Sequence, residues 1–81
     1  MNSKHQKTIS AIYNVSRSIT FRDVSSLLVA LGCEVKQGNG SRIRFIFGQR
    51  ILTMHEPHPG REIKEYQVKM VRDFLIAIGV K

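Results

Sequence analysis

Two short segments carry the residue types from which chemistry could be built: Gly40-Ser41-Arg42-Ile43-Arg44-Phe45-Ile46-Phe47 and Met54-His55-Glu56-Pro57-His58-Pro59. In the first, arginines alternate with apolar residues, so an extended chain sets Arg42 and Arg44 on one face and Ile43, Phe45 and Phe47 on the other. Two guanidinium groups about 7 Å apart along a strand can meet successive phosphates, with Ser41 and nearby backbone N–H groups adding hydrogen bonds. Lys36 on the preceding strand and Arg50 at the next turn extend the same cationic patch. The bland alternative is a solvated sheet face; arginine rather than lysine at both central positions favours recognition.

The second segment holds two imidazoles three residues apart in a loop stiffened by Pro57 and Pro59. Histidine exchanges protons near neutral pH. RNA brings its own nucleophile, the 2′-OH, so cleavage needs little beyond a base, an acid and cations beside the phosphate. His58 and His55 are therefore the candidate catalytic residues. The same pattern also describes a rigid turn whose imidazoles bond to backbone. Zinc binding by His55, Glu56 and His58 lacks a further ligand cluster, and the sequence calls for no metal and no cofactor. Arg61, Lys64 and Lys69 surround the start of the last helix, where N–H groups can hold a phosphate. Glu62 and Glu65 offset that charge, which leaves Arg61 as an accessory contact.

These residues must be positioned by a small fold. The chain has 81 residues, so one domain is expected. Thirteen Lys and Arg against six Asp and Glu give a net charge of +7, which predicts attraction to a polyanion or to an acidic protein. An apolar content of 42% is ordinary for a globular domain and excludes a disordered one. No apolar run reaches the roughly 20 residues of a membrane span, and no signal peptide is visible, so no membrane association and a cytoplasmic location are expected. Cys33 stands alone, which rules out an internal disulfide, and reads as a small buried hydrophobe.

Periodicity predicts a first helix over about Lys4 to Tyr13 and a second over Phe21 to Leu31. The second has Thr20 as N-cap, Asp23 completing a capping box, an Ile19–Val24 staple and Gly32 as terminator. Strands follow at Cys33 to Lys36, Ser41 to Phe47 and Arg50 to Met54, separated by Gln37-Gly38-Asn39-Gly40 and Gly48-Gln49. Proline ends the sheet. A last helix starts between Glu62 and Tyr66 and runs to Ile78, with Gly79 behind it. The order specifies an α+β two-layer sandwich: a three-stranded antiparallel sheet covered on one face by two helices, with an extra N-terminal helix. Residues 1–18 are read as the helical extension and 19–81 as the domain. The hairpin register is not fixed by the sequence, since a slip of one residue would exchange the two faces.

The order of elements, the Gly40-Ser41 start of the second strand, the Pro57-His58-Pro59 segment and the closing helix ending at Gly79 resemble the HicA toxin family, over about Ile19 to Val80. The resemblance implies a double-stranded-RNA-binding-like fold and a small mRNA-cleaving toxin of a bacterial toxin–antitoxin module, held inactive by a HicB antitoxin. It also implies a metal-independent endoribonuclease, as a monomer or a small hetero-oligomer with that antitoxin. The family usually carries its catalytic histidine immediately, or one residue, after the Gly-Ser pair. Those positions are Arg42 and Ile43 here, and neither can serve as a base near neutral pH. Two readings follow: an RNA-binding toxin whose cleavage is lost or moved to His55 or His58, or a non-catalytic basic module that binds nucleic acid or an acidic partner. No helix-turn-helix spacing points to a DNA-binding protein.

Overall fold

The computed structural model describes residues 3–57 and 61–80. Three helices, α1 (Ser3–Tyr13), α2 (Phe21–Ala30) and α3 (Glu65–Ala77), accompany a sheet of β1 (Glu34–Gln37), β2 (Arg42–Phe47) and β3 (Arg50–His55). The sheet is an antiparallel meander in the order β1-β2-β3. The α+β layout is the one expected from periodicity.

Local signals set the helix limits. Thr20 Oγ1 accepts the Asp23 N–H at 3.2 Å, and Asp23 Oδ2 accepts the Thr20 N–H at 3.3 Å, closing the capping box. Ile19 and Val24 are both buried beside it. α2 and α3 stop at Gly32 and Gly79, whose φ angles of 103° and 90° suit glycine. α1 stops by the same pattern of bonds, Val15 N–H to the Ile12 carbonyl and Ser16 N–H to that of Ala11, but with Val15 at φ 51°. A β-branched residue in that region is strained, by about 1–2 kcal/mol, and Val15 is held there by its contact with the core.

The β2–β3 hairpin turns on Gly48-Gln49 and pairs Phe47 with Arg50, Phe45 with Leu52, Ile43 with Met54 and Arg42 with His55. Ile43, Phe45, Leu52 and Met54 thereby face the helices and are buried. They join Val24, Leu27 and Leu28 of α2 and Val68, Val71, Phe74 and Leu75 of α3 in one core. Phe21 and Phe45 meet with ring centroids 5.9 Å apart. The Ile63 N–H donates to the Ile19 carbonyl at 2.8 Å, and Thr20 bridges Glu62, tying the start of α2 to the approach to α3. Cys33 is buried, and burial pushes its thiol pKa up, as suits an inert core residue.

Two boundaries differ from expectation in ways that matter. β1 starts one residue later, at Glu34, and β3 runs one residue further, to His55. His55 is thus the last residue of a strand rather than part of the proline loop, because the hairpin continues pairing until Pro57 removes a donor. α1 packs against α2 and α3, and Ile9 and Ile12 lie in the common core. The Tyr13 hydroxyl donates to the Val80 carbonyl across the molecule.

Ile12 has no exposed surface. Ile12→Ala should therefore lower unfolding stability by about 2–5 kcal/mol, as Leu27→Ala should. An unchanged urea midpoint for Ile12→Ala would show that α1 is only loosely attached.

Candidate nucleic-acid interface

The hairpin register decides what stands on the outer face of the sheet. Directly opposed residues share a face, so Arg42 lies beside His55, and Lys36, Arg44 and Thr53 form the adjoining row across all three strands. A third row holds Glu34, Ile46 and Ile51. Arg42, Arg44, Lys36 and His55 are all exposed, and no helix covers them. Three cations and one imidazole thus occupy one half of an open face. Lys36 reaches Glu34 at 3.8 Å, but both side chains are more than half exposed. A pair so solvated is weak, and Lys36 remains available to an anion.

The backbone at His55 is held from outside the strand ladder. Its carbonyl accepts from Gln67 Nε2 at 3.2 Å. One residue on, the Glu56 N–H donates to the Ser41 carbonyl at 2.8 Å, extending the ladder past the strand end. Ser41 Oγ lies 3.5 Å from His55 Nδ1, at the outer limit of a hydrogen bond. Imidazole and hydroxyl therefore meet where β2 begins and β3 ends, on the strand pair that also carries Arg42.

Gln67 escaped the sequence reading. It is a buried polar side chain on the apolar side of α3. Its Oε1 accepts the Lys64 N–H at 2.9 Å while its amide reaches His55, so one residue both caps α3 and ties it to β3. The detectable signal was a Gln on the core stripe, three residues after the last extended residue before the helix.

The remaining candidates separate. Arg50 pairs with Phe47 at the far end of the hairpin, and strand alternation turns it toward the helix side of the sheet, away from Arg42 and Arg44. Arg61 is exposed on the approach to α3 and lines a cavity of about 340 Å³ together with His55. His58 lies outside the described residues. Among the described residues, no group of three His, Cys, Asp or Glu side chains gathers as a metal site, and no helix is long and apolar enough to cross a membrane.

Such a surface can grip an anionic backbone and present one imidazole to it. The family model for the HicA toxin of bacterial toxin–antitoxin systems matches residues 21–80, most of the chain. The protein belongs to the HicA toxin family. It is thus a toxin of the toxin–antitoxin class, and an antitoxin partner goes with that membership. No curated protein and no solved structure matched. The matched segment begins at the first residue of α2, so α1 lies outside it while sharing its core.

Gln67→Leu keeps the volume but removes the bonds to His55 and Lys64. We expect a loss of about 1–3 kcal/mol in stability from the groups left unpaired, and a displaced His55 imidazole resonance in NMR spectra. An unmoved His55 signal would show that Gln67 does not position it.

Proposed function

We propose that this toxin acts on RNA, binding it across the outer sheet face and cleaving it with His55 as a proton-transfer group. The observation that carries the reading is the Arg42–His55 pair, which sets a permanent cation beside an imidazole on an uncovered, basic surface. Arg42, Arg44 and Lys36 hold phosphates, and Ser41 adds a hydroxyl close to the imidazole. Arg61 extends the contact from the approach to α3. Arg50 is assigned no contact with the same stretch of backbone, because it projects from the other side of the sheet.

The chemistry follows from RNA itself. His55 takes the proton of a 2′-OH, whose oxygen attacks the adjacent phosphorus. The bond from phosphorus to the 5′ oxygen breaks, giving a 2′,3′-cyclic phosphate and a 5′-hydroxyl once the leaving oxygen gains a proton. His58 or solvent supplies that proton. Arg42 stands where negative charge develops on the phosphoryl oxygens and stabilises it without acting as a base. The nucleophile and the charge stabiliser are then the substrate's hydroxyl and the protein's guanidinium, so this route uses no metal and no cofactor. A HicB-like antitoxin neutralises the protein by covering the same basic face.

A second reading is favoured by one observation: arginine and isoleucine occupy the positions after Gly40-Ser41, where the family's histidine is usually found. In that reading the face binds RNA or an acidic antitoxin and cleaves nothing.

One set of measurements separates the two. Arg42→Ala and Arg44→Ala should each weaken RNA binding and reduce the slope of log K against log salt by about 1. His55→Ala should retain binding and abolish cleavage by the purified protein, with chelator present or absent. Cleavage undiminished in His55→Ala would remove His55 from the mechanism. Binding without any cleavage by the native protein would establish the second reading.

A further inference from the structure

The cavity of about 340 Å³ lies between the end of β3 and the start of α3, and His55 belongs both to its wall and to the basic face. Its other walls include Glu56, Arg61, Glu62 and Tyr66. The volume lies at the lower end of the range for small-molecule sites, which begins at about 300 Å³. The fold makes little use of the tyrosine. Tyr66 is 56% exposed on the first turn of α3, and its side chain has no hydrogen-bond or ring partner among the described residues. The two glutamates are likewise exposed, with no cation within ion-pair distance among the described residues. Gln67, by contrast, is buried and already bonds His55 and Lys64, which makes it part of the wall.

We propose that this cavity is a nucleobase pocket, taking one unpaired base of the RNA held on the sheet face and making the toxin base-selective. The inference rests on the RNA-directed reading given above. An unstacked base is recognised by an aromatic plane and by hydrogen bonds to its edge, and the cavity offers both. Tyr66 supplies the plane. Glu56 and Glu62 supply acceptors only, which match bases with exocyclic amino groups: the N4 amine of cytosine, the N6 amine of adenine and the N1 and N2 hydrogens of guanine. Uracil fits poorly, because its single ring N–H is flanked by two carbonyl oxygens that repel a carboxylate. Arg61 on the rim meets a neighbouring phosphate. Because His55 is shared, the nucleotide whose base enters the pocket is the one whose ribose lies beside the imidazole. The pocket therefore selects where along the strand the chemistry occurs.

The test uses the full chain and 2′-O-methyl oligonucleotides of cytidine, adenosine and uridine, which can bind but cannot be cleaved through the 2′ oxygen. Affinity for the cytidine and adenosine oligomers should exceed that for the uridine oligomer by about tenfold, since a matched hydrogen-bonding edge discriminates by that order. Tyr66→Ala, at an exposed position, should fold normally and weaken binding of the cytidine oligomer about tenfold, whereas Tyr66→Phe should retain it. Glu56→Gln with Glu62→Gln should narrow the gap between cytidine and uridine. Arg42→Ala should weaken all three oligomers alike. If the oligomers bind but Tyr66→Ala matches the native protein, the pocket is overturned while the RNA reading stands. Equal affinity for all three bases overturns the base assignment. If Arg42→Ala and Tyr66→Ala both leave binding untouched, or no oligomer binds at all, both readings fall.

Discussion

The register of the β2–β3 hairpin is the constraint on which the rest of the molecule depends. Gly48-Gln49 is a two-residue turn, and its glycine takes the positive φ that such a turn demands. That turn makes Phe47 the partner of Arg50 and so dictates every later pair down to Arg42 and His55. One choice therefore satisfies two demands. It turns Ile43, Phe45, Leu52 and Met54 inward to meet the helices, and it sets the cations and the imidazole together on the outside. A slip of one residue would bury arginines and expose a phenylalanine, so the energy of the core protects the geometry of the surface.

The same logic explains which features could be read in the sequence. α2 was legible because Thr20, Asp23, Ile19, Val24 and Gly32 act on neighbours a few residues away. The three strands were legible from alternation, within one residue at each end. What escaped depends on pairing across the chain. Even-numbered residues of β2 face outward while odd-numbered residues of β3 do, a relation that only the turn length establishes. Hence Arg50, close in sequence to the cationic strand, falls on the other side of the sheet, and His55 rises from a loop into a strand beside Arg42. Gln67 escaped for a similar reason: its task is set by a carbonyl twelve residues upstream.

Family membership narrows the function without assigning the residues that perform it. The segment after Gly40-Ser41 carries arginine where the family resemblance leads one to expect a histidine, and the fold places a histidine on the adjoining strand at the same level of the sheet. A neighbouring strand can supply an imidazole to much the same volume, since cross-strand partners stand about 5 Å apart. The basic rows and the open face are compatible with that substitution.

The two tethers at His55 come from distant parts of the chain. One is the Ser41 carbonyl at the mouth of the hairpin, which holds Glu56, and the other is Gln67 in the first turn of α3. During synthesis the hairpin can form before α3 has left the ribosome, yet the histidine acquires its final setting only after the helix docks. Neither a nascent chain nor a partly unfolded one reproduces that setting. The local geometry at this position is thus a property of the completed fold and not of the hairpin alone.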